Sequence, residues 1–506
     1  MTTAMFKTGM NRALLNRDFF QVILDRAYGP NTALTTQWSE QELDSSSSIL
    51  SNISSGNADG DEDEDDFSRD IPSSTSPTDG FTQTTDKAEE PCPMNDMTGH
   101  FLYKIEYSAV SFTSSTPSNL LQDHPSDNRL SGSFSISATS RTEPQPLAGG
   151  QLWIVIKSKP IDTALIELTN IMAQLQGGEF AEEYDQVKDL TGFRNSHIRE
   201  IELAELSWKF GGAMARISTK VYNVLRNDSQ QLYALCLEYL DPAMGNITHM
   251  NSTDLAPAIW APDDIHLALR DLASFHAQFL GEEDRLLKMS FLENPTRAMM
   301  GVLRPAYEAM VRTNHMNEPG LFSEFMSQSI LDYLAHSDEY WAILEKSPRT
   351  LVHGDFNTRN ICLRFDPSTG AQTLCAYDWE LACCHVPQRD VVEFLSFVLP
   401  PGSGEWAHYI EYHRLALKAT MERQQKLTFP NSSRQFANLS SPQEYMEVAK
   451  IALMDFASLR VAMYGISNSF KKIDWLPRIL SSVEEQVKRM GPLRRAQDRV
   501  HHESKL

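Results

Sequence analysis

The run LVHGDFNTRNICLRF, residues 351–365, places His353, Asp355 and Asn360 between two apolar segments. Taken alone, the run contains enough turn-forming residues to be an ordinary polar turn. However, a second acid, Asp378, ends the next apolar stretch, TLCAY, which has the length of a short buried strand. Two carboxylates and a carboxamide at strand ends are oxygen ligands that suit Mg²⁺, with substrate phosphates completing its coordination.

The spacing D-x-x-x-x-N followed by a more distant Asp is typical of phosphoryl transfer. In kinases, the first Asp accepts the proton of the attacking hydroxyl and the Asn holds a metal ion. The later Asp bridges the metal to the β- and γ-phosphates. In this chain, the three positions are Asp355, Asn360 and Asp378.

The motifs HGD at 353–355 and DWE at 378–380 resemble those of the phosphotransferase family that contains aminoglycoside phosphotransferases and choline kinases, including its ecdysteroid-kinase-like branch. Pro387 and Asp390, in HVPQRDVVEFLSFVL, extend the resemblance. It implies an α+β, two-lobed protein-kinase-like fold. The N-lobe would be a small antiparallel sheet with a helix, and the larger C-lobe would be mainly helical.

The resemblance also implies roles for these residues. Asp355 would be the catalytic base, and Asn360 and Asp378 would hold Mg²⁺. His353 and Asp390 would support the catalytic loop, with Asp390 opening a helix that braces it.

Such a site requires an upstream lysine and glutamate for the nucleotide phosphates. Lys157 follows the strand-like run LWIVI and matches the family's K-x-x-P spacing, but Lys159 would face the same side of a strand. Glu200 in SHIREIELAEL is the expected glutamate partner, with Glu202 as the alternative.

The apolar run LYALCLEYLDPAMG lies where the family places the hinge between its lobes. Backbone groups near Glu238 and Leu240 would then bind adenine, although an ordinary core strand would have the same residues. The GxGxxG phosphate loop is missing, and the segment MTGHFLYKIEYSAVSF around Gly99 is the best candidate for that hairpin. The absence of this loop and of an Ala-Pro-Glu segment argues against a protein kinase.

Composition divides the 506-residue chain further. The tract 44–98 carries 14 acidic residues against Arg69 and Lys87, about half of the formal net charge of −22, and is predicted to be a disordered insertion. A second Ser/Pro-rich insertion is predicted at about 113–150. The predicted segments follow one another along the chain. They are an N-terminal helical part of the N-lobe (1–43), the acidic insertion (44–98), the remaining N-lobe (99–237), the hinge with the C-lobe (238–497) and an exposed tail (498–506).

The sequence has no basic stripe for nucleic acid, no apolar run long enough to span a membrane and no secretory signal. Its six cysteines lack CxxC spacing. This pattern favours reduced core residues over a zinc site or a disulfide framework. Ser504, Lys505 and Leu506 form a peroxisomal address, so we expect the peroxisomal import receptor as a partner and the cytoplasm as the alternative location.

Together, these observations predict an ATP- and Mg²⁺-dependent kinase that phosphorylates a hydroxyl of a small molecule. The alternatives are a non-catalytic binding or scaffold protein with this fold and, less favoured, a protein kinase. The sequence does not identify the acceptor, because substrate contacts in this family come from variable C-lobe helices.

Overall fold

The computed structural model describes residues 15–28, 32–42, 99–109, 150–428, 439 and 441–493. Most of the predicted insertions, 44–98 and 113–150, and the targeting residues Ser504, Lys505 and Leu506 lie outside the described residues. Their predicted disorder and import stay predictions. None of the described helices combines the length and the apolar character required to cross a membrane.

The N-lobe is built on a five-stranded antiparallel sheet in the order β1-β2-β3-β5-β4. Alternating side chains of β3 are buried, because one face of this sheet packs against the helix α1. The elements of this lobe are α1 (Arg17–Tyr28), β1 (Thr32–Glu42), β2 (Gly99–Ala109), β3 (Gly150–Ser158), α2 (Asp162–Gln176), α3 (Gly178–Val187), α4 (Ser196–Phe210), α5 (Gly212–Ile217), β4 (Val221–Asn227) and β5 (Leu232–Glu238).

The strand β2 contains most of the segment expected to form the phosphate-loop hairpin. Residues 99–109 form one continuous strand, and the residues between β1 and β2, 43–98, lie outside the described residues, so the phosphate loop stays a prediction. This strand pairs with β1 on one side and with β3 on the other.

The C-lobe is mainly helical and contains two small antiparallel sheets, β7 with β10 and β6 with β8 and β9. Its elements are β6 (Ile247–Thr248), α6 (Ala256–Ile259), α7 (Pro262–Phe279), α8 (Glu283–Leu286), α9 (Arg297–Asn317), α10 (Glu324–Ala335), α11 (Ser337–Lys346), β7 (Thr350–Val352), β8 (Ile361–Asp366), β9 (Ala371–Ala376), β10 (Cys383–His385), α12 (Gln388–Val398), α13 (Trp406–Thr428), α14 (Pro442–Phe456), a π-helical turn (Ala457–Val461), α15 (Ala462–Asn468) and α16 (Leu476–Met490).

The helix α12 lies at the centre of this lobe, and all of its residues from Gln388 to Val398 are buried. It packs against α13, α14 and α16, so polar side chains on it must find partners inside the protein. The described architecture, a small antiparallel-sheet lobe joined to a larger helical lobe, confirms the predicted α+β protein-kinase-like fold class.

Candidate active site

The HGD loop lies between β7 and β8, and its glycine is required by the backbone. Gly354 has φ of +78°, and a Cβ atom at this position would lie 2.2 Å from the main-chain oxygen of Leu381. Only glycine adopts this conformation without strain and permits such a close approach. The loop is therefore pressed against the turn that follows Asp378.

Asp390 supports this loop from α12. Its carboxylate accepts hydrogen bonds from the main-chain N–H groups of His353, at 2.8 Å, and Gly354, at 3.0 Å. The ring of His276, at 3.1 Å, is a third partner. His353 in turn donates from Nε2 to the carbonyl oxygen of Tyr377, at 2.9 Å, which ties the loop to the residue before Asp378.

Asp355 and Asn360 are joined inside the loop. The amide nitrogen of Asn360 donates to Asp355 Oδ2 at 2.8 Å and to the main-chain oxygen of Asp355 at 3.0 Å. The main-chain oxygen of Asn360 accepts from the N–H of Tyr377, at 3.0 Å. The predicted base therefore contacts the predicted metal ligand Asn360, whose main chain is bonded to the residue that precedes Asp378.

Lys157 links the two lobes. Its Nζ lies 2.7 Å from Glu200 Oε2 on α4 and 2.6 Å from Asp378 Oδ1. Lys159 lies 2.9 Å from the same Glu200 oxygen and 2.8 Å from Glu380. Of the two lysines, Lys157 contacts Asp378, so its position is the one expected of the phosphate-binding lysine.

The charges of this network stabilise one another. Burial alone would lower the pKa of Lys157, but Asp378 and Glu200 raise it well above its ordinary value. Burial alone would raise the pKa of Glu200, but Lys157 and Lys159 hold it well below its usual range. The alternative partner, Glu202, faces away from the network and pairs with Arg226.

The predicted hinge follows β5. The N–H of Glu238 donates to the carbonyl oxygen of Lys220 at 2.9 Å, and its carboxylate accepts from Arg364 of β8 at 2.5 Å. Leu240 is buried in a small cluster with Ile247, Cys362 and Cys375 of the C-lobe. The strand thus ends at the junction of the lobes, and adenine binding by Glu238 and Leu240 stays a prediction.

A separate cavity of about 750 Å³ lies behind α4. Glu200, Leu237 and Trp379 line it, whereas Asp355 and Asn360 do not. It adjoins the lysine network from the side of the helix and is distinct from the catalytic loop.

Sequence reasoning missed the cationic surroundings of Asp355. Arg460, on the π-helical turn, lies with Nη2 at 2.5 Å from Asp355 Oδ1, and Arg359 approaches the same oxygen to 3.8 Å. Burial alone would raise the pKa of Asp355, but these arginines hold it well below its usual range. Arg359 could have been found within the loop motif, but no sequence signal connects Arg460 with a residue 105 positions earlier.

The described fold is of the protein-kinase-like class. Residues 260–425, about a third of the chain, match the family model described as ecdysteroid kinase-like. The predicted resemblance is confirmed, and the match supports a phosphotransferase of the small-molecule kinase type. No curated protein sequence matched the chain.

Several solved structures are also similar to the chain. A Plasmodium vivax ethanolamine kinase is 15% identical with a TM-score of 0.34, covering 57% of this chain and 71% of that chain. A choline/ethanolamine kinase family protein from Mesorhizobium loti is 13% identical with a TM-score of 0.27, covering 57% and 83%. A microcompartment-associated aminopropanol kinase is 13% identical with a TM-score of 0.27, covering 58% and 83%.

Proposed function

We propose that the chain transfers the γ-phosphoryl group of ATP to a hydroxyl of a small molecule in a Mg²⁺-dependent reaction. The observation that carries this proposal is the position of Lys157, whose Nζ bridges Glu200 at 2.7 Å and Asp378 at 2.6 Å. Phosphoryl transfer depends mainly on positioning and on neutralising phosphate charge, and this bridge provides a fixed cation beside a carboxylate.

Asp355 is the proposed catalytic base. A carboxylate held ionised by Arg460 and Arg359 can orient an acceptor hydroxyl and receive its proton as the phosphoryl group leaves ATP. Oδ2 of Asp355 accepts a hydrogen bond from Asn360, whereas Asn357, Arg460 and Tyr464 all approach Oδ1. Since a carboxylate oxygen has two lone pairs, Oδ2 retains room for the hydroxyl.

The side-chain oxygen atoms of Asn360 and Asp378 suit a magnesium ion. Among the described residues, none donates a hydrogen bond to the amide oxygen of Asn360 or to Oδ2 of Asp378. Both oxygen atoms are therefore available, and hard oxygen ligands of this kind suit Mg²⁺. When bound, the ion would neutralise phosphate charge and help to align the γ-phosphoryl group.

The remaining residues have supporting roles in this proposal. Lys157, positioned by Glu200, would neutralise the nucleotide phosphates, and the backbone near Glu238 and Leu240 would bind adenine. Asp390 accepts hydrogen bonds from the main-chain N–H groups of His353 and Gly354, and these bonds keep the loop in the geometry that presents Asp355.

Calorimetric titration of the purified full chain with ATP, with and without Mg²⁺, tests the nucleotide part of the proposal. A screen of ATP consumption against hydroxylated acids, amino alcohols, sterols, sugars and hydroxylated acyl-CoA compounds then tests transfer. We expect Mg²⁺-dependent binding and acceptor-dependent ADP release. A chain that binds no Mg²⁺·ATP would contradict the proposal.

A further inference from the structure

Two arginines share the carboxylate of Asp355. Arg359 and Arg460 both lie within 4.0 Å of its carboxylate, which is the only carboxylate that close to either guanidinium among the described residues. The neighbouring Glu393 is paired with a third arginine, Arg389, at 2.7 Å, and Arg389 also lies 3.6 Å from Asp455. Arg359 and Arg460 therefore share a single carboxylate, that of Asp355, as their ion-pair partner in the described part of the chain.

The two arginines also have unused donors. Nε of Arg460 is buried and has no hydrogen-bond partner in the described part of the chain. Arg359 donates from Nε to Asn357 and from Nη2 to the hydroxyl of Tyr464, at 3.2 and 2.8 Å. Among the described residues, the Nη1 atoms of Arg359 and Arg460 also donate to no protein group. A buried donor without a partner is costly, which favours a ligand that accepts its hydrogen bond.

Both guanidinium groups are held in place by aromatic rings. Arg359 lies 5.2 Å from the ring centre of Tyr464 and 5.1 Å from that of Trp475, and Arg460 lies 5.4 Å from the ring centre of Tyr464. Because their planes are fixed by this packing, the arginines lose less conformational entropy when they bind a planar or tetrahedral anion.

The arginines lie on the side of Asp355 that faces away from the proposed metal ligand. Arg460 contacts Oδ1 of Asp355, whereas Asn360 contacts Oδ2. The nucleotide phosphates are expected beside Asn360 and Asp378, so an anion at the arginines belongs to the other reactant.

We propose that Arg359 and Arg460 bind an anionic group of the acceptor, which is therefore an alcohol with a carboxylate or a phosphate near the hydroxyl that is phosphorylated. This inference rests on the proposed kinase function. The arginines would fix the acceptor through charge-assisted hydrogen bonds and so hold its hydroxyl beside Oδ2 of Asp355.

The test is calorimetric titration of the full chain saturated with Mg²⁺ and β,γ-methylene-ATP, which occupies the γ-phosphate position without reacting. The probes are glycerol, glycerate and glycerol 3-phosphate, which share hydroxyl groups and differ in the anion. We expect at least one of the two anionic probes to bind tenfold or more tightly than glycerol, and their comparison distinguishes carboxylate from phosphate.

Two variants complete the test. Arg460→Gln should bring the affinities for the anionic probes to within about threefold of that for glycerol, whereas Arg270→Gln, at an exposed arginine of α7, should leave them unchanged. Wild-type protein that binds all three probes equally would overturn the inference whether or not Arg460→Gln folds.

The same titrations separate this inference from the proposed function. Anion binding that occurs with Mg²⁺·ADP but is lost with the methylene analogue would show that the arginines bind the γ-phosphate, and would also overturn the inference. If the chain binds Mg²⁺·methylene-ATP but does not prefer the anionic probes, only the acceptor inference fails. A chain that does not bind the nucleotide contradicts the kinase proposal itself.

Discussion

Asp390 holds the main chain of His353 through a 2.8 Å hydrogen bond, and both residues are fully buried. The same carboxylate accepts the N–H of Gly354, so α12 fixes the entrance of the catalytic loop at two successive peptide groups. A buried N–H group has no access to water, which makes this acceptor necessary for the loop's conformation.

Asp390→Ala should therefore destabilise the protein and lower kcat. Two buried donors would lose their partner, with an expected cost of about 2–6 kcal/mol in the free energy of unfolding. Urea denaturation and steady-state kinetics would measure the two effects. Asp271→Ala is a matched control, because Asp271 accepts one main-chain N–H, that of Leu374, away from the loop. An Asp390→Ala variant with unchanged kcat would contradict the positioning role.

The two lysines of the lobe interface should differ in function. Lys157→Met removes the cation that contacts Asp378, so we expect Mg²⁺·ATP affinity and kcat/KM to fall by about 10²-fold. Lys159→Met removes a buried partner of Glu200 and Glu380 and should mainly lower stability, by about 3–5 kcal/mol. Nucleotide titration and thermal melting would measure both variants. A larger loss of nucleotide binding in Lys159→Met would reverse the assignment.

The choice between these lysines shows what sequence could and could not provide. Lys157 and Lys159 are two positions apart, so an extended chain places both side chains on the same side, and the structure brings both to Glu200. Alternation along a strand therefore could not separate them, since the distinction depends on Asp378 from the other lobe. By contrast, the choice of Glu200 over Glu202 depended on which face of α4 meets the sheet.

Other features depended on longer-range packing. The order of HGD, Asn360 and Asp378 was readable because these residues are close in sequence and lie at strand ends. The contact of Arg460 with Asp355 could not be predicted from the sequence, since Arg460 reaches Asp355 from a π-helical turn whose position is set by helix packing in the C-lobe. Local patterns thus predicted the loop and its neighbours, but not the side chains that the rest of the lobe brings to them.

The base and the proposed metal ligand can be separated by substitution. Asp355→Ala should reduce kcat by about 10³-fold and leave Mg²⁺·ATP binding within about threefold of wild type, because the proposed role of Asp355 is toward the acceptor and not the nucleotide. Asp378→Ala should weaken Mg²⁺-dependent nucleotide binding itself. Calorimetric titration with ATP, with and without Mg²⁺, distinguishes the variants. If both bind Mg²⁺·ATP as wild type does, Asp378 is not a metal ligand.

Glu393 should make stability depend on pH near neutrality. It is fully buried and accepts hydrogen bonds from Asn357 at 3.0 Å and from Arg389 at 2.7 Å. Burial raises its pKa to about 7, although Arg389 opposes the shift, whereas its ordinary value is 4.5. The folded protein therefore binds a proton at this carboxyl between about pH 4.5 and 7 that the unfolded chain releases.

The contribution of this group to stability is complete below about pH 4.5 and is lost as pH rises to about 7. Glu393→Gln mimics the protonated form, so the variant should gain stability relative to wild type by up to about 1.4 kcal/mol per pH unit across this range. Urea denaturation of both proteins at pH values from 5 to about 8 measures the difference. A difference that stays constant with pH would show that Glu393 is ionised throughout, with Arg389 outweighing the effect of burial.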